Sequence, residues 1–413
     1  MEQALVSVAF LYKRSIKALH FAKQNGWANL YRLLHRKAAS KNGLFGKARV
    51  IDPYEFVVCK NFGSPITANA IPSNTINWFI PKIGKGSGGH LNIFRFVRGL
   101  EERGFECRLI IVGDLLPQSS DTVKKNIGEW FFPLQADVFI GLDNEIPPAI
   151  FSIATSWQTA YAVKAFQSTQ IRCYFVQDFE PWFYPAGTDS LLAENTYHFG
   201  FHGITAGSWL AEKLRTEYGM QTCALGFSYD RNLYSPSARK SAGTKRVFFY
   251  ARPPTARRAF ELGLLVLREV CRKIPSAEVV MAGWDVSNYE IPFPCRHAGL
   301  MELTELNDLY HQCDVALVLS CSNLSLLPVE LMAAGVPVVS NSAPYTRWLL
   351  NADNSLLANP DVESLAAAVV EILEKPARAD ELRQGGIEFA RSTCWEKEGD
   401  KLAQHLSDLN SGA

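Results

Sequence analysis

No two of the nine cysteines stand at CxxC spacing, and no HExxH or other metal-ligand spacing occurs in the 413 residues. A zinc knuckle and a disulfide framework are therefore not expected, and scattered, odd-numbered thiols fit a reducing cytoplasm. The N-terminus lacks an uninterrupted apolar stretch followed by a cleavage site, so no signal peptide is expected. Two long uncharged runs, NFGSPITANAIPSNTINWFIP and IPPAIFSIATSWQTAYAV, both hold prolines and many hydrogen-bonding side chains. Neither makes a good membrane span. Low-complexity tracts and short repeats are also missing.

Acids are nearly absent from one place. Residues 1–50 hold ten Lys/Arg against Glu2, whereas the rest of the chain holds 32 Lys/Arg against 40 Asp/Glu, out of totals of 42 and 41. The formal net charge of +1 argues against a protein that coats nucleic acid. Within the basic segment Leu5, Val8, Ala9, Tyr12, Ile16 and Leu19 recur at helical spacing. Two readings stand: a helical arm packed on the protein, or an interfacial helix drawn to anionic lipid.

What is present is apolar bulk, 47% of residues, in a chain too long for one ordinary core. From Asn74 the pattern alternates strands and helices. TINWFIP, CRLIIVG, ADVFIG, RCYFVQ and GITAG read as buried strands, with a helix expected over about 90–103. After a polar, breaker-rich linker at SPSARKSAGT the rhythm restarts with RVFFYA, AEVVMAG, RHAGL, DVALVLS and VPVVSN. The expected fold class is α/β, two Rossmann-like domains facing a cleft. Boundaries follow: a basic helical extension over 1–70, a first Rossmann-like domain over 71–235, a second over 245–390, and a helix over 391–413 expected to cross back to the first domain.

Candidate chemistry gathers at strand ends. In YARPPTARRAF, Arg252 follows a strand and Arg257 and Arg258 precede a helix, where cations oppose the macrodipole. A bound diphosphate would reverse that sign; the bland alternative is an exposed basic turn. In SCSNLSLLPVELMAAGVPVVSN the loop has no charge until Glu330. Ser322, Asn323 and Ser325 offer neutral donors there, and the N–H groups of Leu326 and Leu327 are free to face a phosphate. Glu330 can accept from two neighbouring hydroxyls, as a nucleotide's pentose presents, or simply be a favourable first-turn acid. Gly283 ends another strand where backbone can approach a ligand, and Leu300 and Met301 can offer backbone to a nucleobase edge; an ordinary strand-to-helix turn explains either as well.

Gly84-x-Gly86-x-x-Gly89 has the spacing of a dinucleotide fingerprint, and Asp114 lies beyond the following strand. Dinucleotide binding, a structural turn, and a close-approach loop beneath a sugar phosphate compete here, with the N–H groups of Gly88 and Gly89 as the useful donors. In QDFEPWFYPAG, Asp178 and Glu180 stand among Phe179, Trp182 and Tyr184. Acids beside aromatic platforms suit carbohydrate, with Asp178 placed to orient or deprotonate an acceptor hydroxyl and Glu180, Trp182 and Tyr184 to hold the acceptor. The bland alternative is a loop capped by acids over a hydrophobic plug.

SGGH after the first strand, Arg252 after the first strand of the second half, AGLMELTELNDLYHQCDVALVLS and PVELMAAGVPVVSN together resemble retaining family-4 glycosyltransferases of the GT-B fold, over about residues 74–400. YFVQDFEPWFYPAGTDSLLAENTYHFGFHGIT is similar to bacterial rhamnosyltransferases of surface rhamnan and O-antigen synthesis. The resemblance implies a nucleotide-sugar donor, dTDP-β-L-rhamnose, held mainly by the C-terminal domain, and a polysaccharide or lipid-linked glycan acceptor on the N-terminal one. It puts Glu330 on the ribose-binding glutamate, Arg252 on the diphosphate-binding arginine, and Gly88 and Gly89 on the glycine-rich donor loop. Two features depart from it: Ser322 stands where a second glutamate is usual, and the customary lysine partner of Arg252 is replaced by Arg257 or Arg258. No cofactor or metal is expected, because arginines and helix N-termini can stabilise the leaving diphosphate. Expected localisation is the cytoplasm, peripheral on the inner face of the plasma membrane. Two rival functions remain, a non-catalytic carbohydrate-binding subunit and a sugar-nucleotide epimerase.

Overall fold

The computed structural model describes residues 50–66, 71–113, 119–142, 145–237 and 243–412. The basic segment up to residue 49 and Asp114 lie outside these, so the helices expected there are not described. The chain forms two compact units, residues 1–60 and 61–413. Of the first, the described part is a 3-10 helix, Asp52–Val58, begun by a proline that fixes its first turn.

In the second unit, strands and helices alternate as β1 (Thr75–Pro81), α1 (Gly88–Glu101), β2 (Glu106–Val112), α2 (Ser120–Trp130), β3 (Asp137–Ile140), β4 (Ala149–Ala154), α3 (Trp157–Ala165), β5 (Thr169–Val176), α4 (Thr188–Asn195), β6 (His202–Ala206), α5 (Ser208–Tyr218) and β7 (Thr222–Leu225). They form one parallel sheet ordered β3-β2-β1-β4-β5-β6-β7. Helices cover both faces of such a sheet, which is why β1 and β4 read as continuous apolar runs rather than alternating ones. The run IPPAIFSIATSWQTAYAV is thus the central strand β4 followed by α3. Ser156 stops the strand and starts the helix: its hydroxyl accepts from Thr159 N, and Thr159 Oγ1 accepts from Ser156 N.

The second half repeats the plan: β8 (Lys245–Tyr250), α6 (Phe260–Lys273), β9 (Ala277–Ala282), β10 (Cys295–Gly299), α7 (Leu303–Tyr310), β11 (Val315–Val318), α8 (Leu327–Ala333), β12 (Val338–Asn341), α9 (Pro344–Arg347), β13 (Ser355–Ala358), α10 (Val362–Glu374), α11 (Pro376–Ser392) and α12 (Trp395–Ser411). Its sheet is also parallel, ordered β10-β9-β8-β11-β12-β13. The fold is therefore the expected pair of Rossmann-like lobes.

The final helix belongs to the first lobe by packing. Leu402 and Leu406, both fully buried, join the core built by Trp78, Phe94, Val97 and Ile111. Arg103 fixes its angle by donating to Asp400 Oδ1 at 2.8 Å and to the Glu396 carbonyl at 2.7 Å.

The strand orders place the ligand crevice. In the first sheet the winding reverses between β1 and β4, and in the second between β8 and β11. Parallel sheets bind ligands beyond the carboxyl ends of strands flanking that reversal. The loops in question are Lys82–Ser87 after β1, Ala251–Ala259 after β8 and Leu319–Leu326 after β11.

Candidate active site

Arg252 lies two residues past β8 and Glu330 in the first turn of the helix that follows β11. Because β8 and β11 are neighbours, one residue comes from each wall of the second lobe's crevice. Arg252 is half-buried, donates from Nη1 to the Tyr250 hydroxyl at 3.2 Å, and lies over the Trp284 ring. Pro328 near the start of α8 sets the helical φ that turns the chain here, so Glu330 follows the loop at once.

Glu330 is in unusual surroundings. Burial pushes its carboxyl up from the ordinary 4.5 to about 7, opposed by the Arg95 guanidinium and the Tyr234 hydroxyl, while Asp230 adds to the rise. Arg95 comes from α1 of the other lobe, with its guanidinium over the Trp395 ring at 5.0 Å. Arg95 Nη1 is buried without a hydrogen-bond partner among the described residues, and the Tyr234 hydroxyl lies against the Glu330 carboxylate outside strict hydrogen-bond geometry. Both are donors beside the carboxylate. The sequence carried a sign of this in NIFRFVRGL, where Arg95 interrupts a buried apolar face between Phe94 and Phe96.

Arg257 and Arg258 sit in a 3-10 turn, Ala256–Arg258, ahead of α6 rather than on it. Arg258 is turned inward and donates to Ser320 Oγ at 2.6 Å and the Asn323 carbonyl at 3.1 Å, which shapes the β11 loop. Its guanidinium is pulled below the usual range by burial, with Asp178 opposing and Arg257 and Arg252 adding to the fall. Three guanidiniums thus share one field.

The glycines after β1 differ from one another. A Cβ at Gly88 would meet nothing within 4 Å, so that backbone faces open space. Gly89 is close to Gln177, whose Nε2 donates to its carbonyl at 3.1 Å. Ser87 caps the helix, its hydroxyl accepting from His90 N. Leu300 is 71% exposed and Met301 half-buried, past Gly299 at the end of β10. Ser325 and Leu326 are half-buried and Leu327 is buried at the mouth of α8.

Gly283 has φ +109, and a Cβ there would be 2.3 Å from the Tyr250 ring, whose hydroxyl accepts from Arg252. Three expectations need correction. Ser322 and Asn323 are fully buried and their donors are spent between the lobes. Asn323 Nδ2 donates to the carbonyls of Gln177 (2.9 Å) and Ala206 (2.7 Å), and its Oδ1 accepts from Trp348 Nε1 at 2.7 Å. Asp178, expected to face an acceptor, is saturated: Oδ1 accepts from Phe179 N and Asn323 N, each 2.9 Å, and Oδ2 from Ser322 Oγ (3.0 Å) and Arg257 Nε (3.1 Å). No lone-pair direction is left for a hydroxyl proton. Glu180, expected to hold acceptor, is buried inside the first lobe, accepting from the Tyr174 hydroxyl at 2.6 Å and Trp157 N at 3.0 Å. Burial raises its carboxyl to about 7.

Trp182, by contrast, is 44% exposed. Its ring packs against Trp209 and against Tyr345 of the second lobe. Tyr184 stands behind, its hydroxyl accepting from Trp157 Nε1 at 3.0 Å. Among the described residues no group of three His, Cys, Asp or Glu side chains could hold a metal ion. No described helix is long and apolar enough to cross a membrane.

Residues 245–370 match the family described as WsaF, C-terminal domain. The O-antigen biosynthesis protein RfbC of Myxococcus xanthus is 34% identical over 352 residues. That match covers 82% of this chain but 27% of RfbC, so the chain spans about a quarter of its relative. Among solved structures, HepE of Anabaena in complex with UDP and glucose aligns with a TM-score of 0.63 at 15% identity, covering 81% of this chain and 100% of that one. The sucrose-phosphate synthase of Thermosynechococcus elongatus aligns with a TM-score of 0.62 at 13% identity, covering 82% and 100%. Arg252, Arg257, Arg258 and Glu330 all fall within the matched domain, and the fold these likenesses share with the chain is the GT-B one.

Proposed function

We propose that the protein is a retaining glycosyltransferase that moves a 6-deoxyhexose, L-rhamnose from dTDP-β-L-rhamnose, onto a growing bacterial surface polysaccharide. One observation carries the reading: a guanidinium and a half-buried carboxylate, Arg252 and Glu330, come from the loops and helix start beyond adjacent strands at the reversal of the second sheet. The guanidinium suits a diphosphate, and the carboxylate suits a pentose hydroxyl. The relative's name adds O-antigen synthesis, and HepE's bound UDP adds a nucleoside diphosphate in this fold.

In the transfer, the bond from sugar C1 to the diphosphate oxygen breaks and a bond from C1 to an acceptor oxygen forms. Negative charge grows on the departing diphosphate, where Arg252 and the helix mouth at Leu326 and Leu327 oppose it. With Asp178 saturated, the acceptor's proton goes to that departing phosphate. Closing the lobes excludes the water that would otherwise hydrolyse the donor. The acceptor approaches from the side of the exposed Trp182. The basic charge of residues 1–50 supports a peripheral position at anionic lipid on the cytoplasmic face.

Incubation with dTDP-rhamnose and a rhamnose-terminated oligosaccharide tests the reading. Extension of the oligosaccharide supports transfer. Binding without turnover would leave a carbohydrate-binding subunit, and an altered free sugar nucleotide would leave an epimerase. Deleting residues 1–40 should reduce partition onto anionic liposomes; unchanged partition removes the membrane role.

A further inference from the structure

Asp178 follows β5 in the first lobe, yet three of the four donors to its carboxylate belong to the second. One of these is Arg257 Nε at 3.1 Å. The Cζ of the same guanidinium lies 3.9 Å from the ring centroid of Phe183, another first-lobe residue. Two groups of the opposite lobe therefore hold Arg257, a carboxylate and an aromatic ring.

An arginine has five N–H donors, and Nε supplies one. The other four belong to Nη1 and Nη2, the pair that grips a phosphate bidentately. The Arg257 side chain keeps 27% of its surface exposed, so it is not sealed by the contact with Asp178. It stands beside Arg258, whose guanidinium feels both Arg257 and Arg252, so cations outnumber the one carboxylate, which is bonded to Arg257. Left alone on its 3-10 turn, so long a side chain would sample many rotamers and lose that freedom on gripping an anion.

We propose that Asp178 is a positioning residue that, from the first lobe, aims the Arg257 guanidinium at the diphosphate, so that this part of the anion grip is assembled only when the lobes are together. The claim rests on the donor reading above and adds the source of Arg257's orientation. It also gives the neutral loop before Glu330 a reason. Ser322 Oγ and Asn323 N receive a carboxylate there, and an acid at either position would repel it.

Calorimetric titration of the full chain with dTDP, and separately with inorganic pyrophosphate, decides the matter on wild type, Asp178→Ala, Arg257→Ala and the double variant. Asp178→Ala is expected to weaken both ligands about tenfold, the equivalent of roughly 1.4 kcal/mol. The double variant is expected to bind no more weakly than Arg257→Ala, because one interaction has been removed twice. Asp178→Asn, which keeps an acceptor, should recover part of the loss, and its near-native shape guards against misfolding. Additive losses in the double variant would overturn the proposal. So would unchanged dTDP affinity in Asp178→Ala with a collapse in kcat, the signature of a base. Wild-type protein with no affinity for dTDP, UDP or GDP would refute the donor reading itself, whatever the variants do.

Discussion

Gly207 of the first lobe lies directly under the indole of Trp348 from the second, where a Cβ would stand 2.6 Å from the ring. The same indole donates to Asn323 Oδ1, which ties this contact to the Asp178 network. Gly207 also has φ +89, a conformation that side chains avoid. Gly207→Ala therefore adds strain and a wedge together, costing about 2 kcal/mol or more. The expected result is a lower denaturation midpoint and a larger radius of gyration in solution scattering. An unchanged radius with lowered stability would confine the effect to the first lobe.

Arg252→Ala removes the guanidinium that faces Trp284 and Tyr250. A hydrogen bond to a charged group contributes about 1.5–3 kcal/mol, so dTDP binding should weaken about 10- to 150-fold. Arg252→Lys keeps the charge but not the planar fork, and should fall between. Titration calorimetry reads both. Wild-type affinity in the alanine variant would remove Arg252 from the site.

Glu330 makes a pH prediction with two opposite signs. Its carboxyl titrates near 7 in the folded chain and near the ordinary 4.5 when unfolded. Between those values the folded state holds a proton that the unfolded state has released, so this group lowers stability as pH rises through the window. Glu330→Gln should accordingly raise the melting temperature of the nucleotide-free protein at pH 8 and change it little at pH 4. Binding runs the other way. Only the carboxylate accepts from two hydroxyls at once, so dTDP affinity should tighten from pH 6 to pH 8 in wild type and stay weak and flat in the variant. A pH profile that survives the substitution would assign the titration elsewhere.

The fold was open to reading wherever strands are fully buried, because TINWFIP and DVALVLS show no alternation and sit between breakers. The edge strands β7 and β13, only partly buried, show no such run and are not legible in the sequence. The positions of Arg252 just past β8 and of Gly88 and Glu330 in the first turns of α1 and α8 are legible, because each follows an apolar run closed by breakers. What each side chain does there was less open. Asp178 and Glu180 are two residues apart beside the same aromatics, yet one crosses between lobes and the other turns into its own lobe. That difference comes from residues 144 and 145 positions away in one case and from Tyr174 and Trp157 in the other. Arg95 and Trp348 are illegible for the same reason: Glu330 and Gly207, which they meet, lie in the opposite lobe.

Trp182 offers the sharpest separation of acceptor from donor. Its ring is 5.0 Å from Phe179, 5.9 Å from Trp209 and 6.0 Å from Tyr345, and the Lys213 ammonium lies 5.3 Å over it. Those neighbours hold the ring in place while 44% of its surface stays open. A rigid, half-open indole suits the CH face and methyl group of a deoxyhexose. Aromatic contacts contribute about 0.5–1.5 kcal/mol each beyond area, so Trp182→Ala should raise the acceptor KM by about 2- to 12-fold. The dTDP dissociation constant should not move, because no donor contact is lost. Trp182→Phe should recover part of the acceptor affinity. Should dTDP binding weaken in step with the acceptor KM, Trp182 would instead act through Tyr345 on how the lobes meet, and the acceptor would have to be sought elsewhere along the cleft.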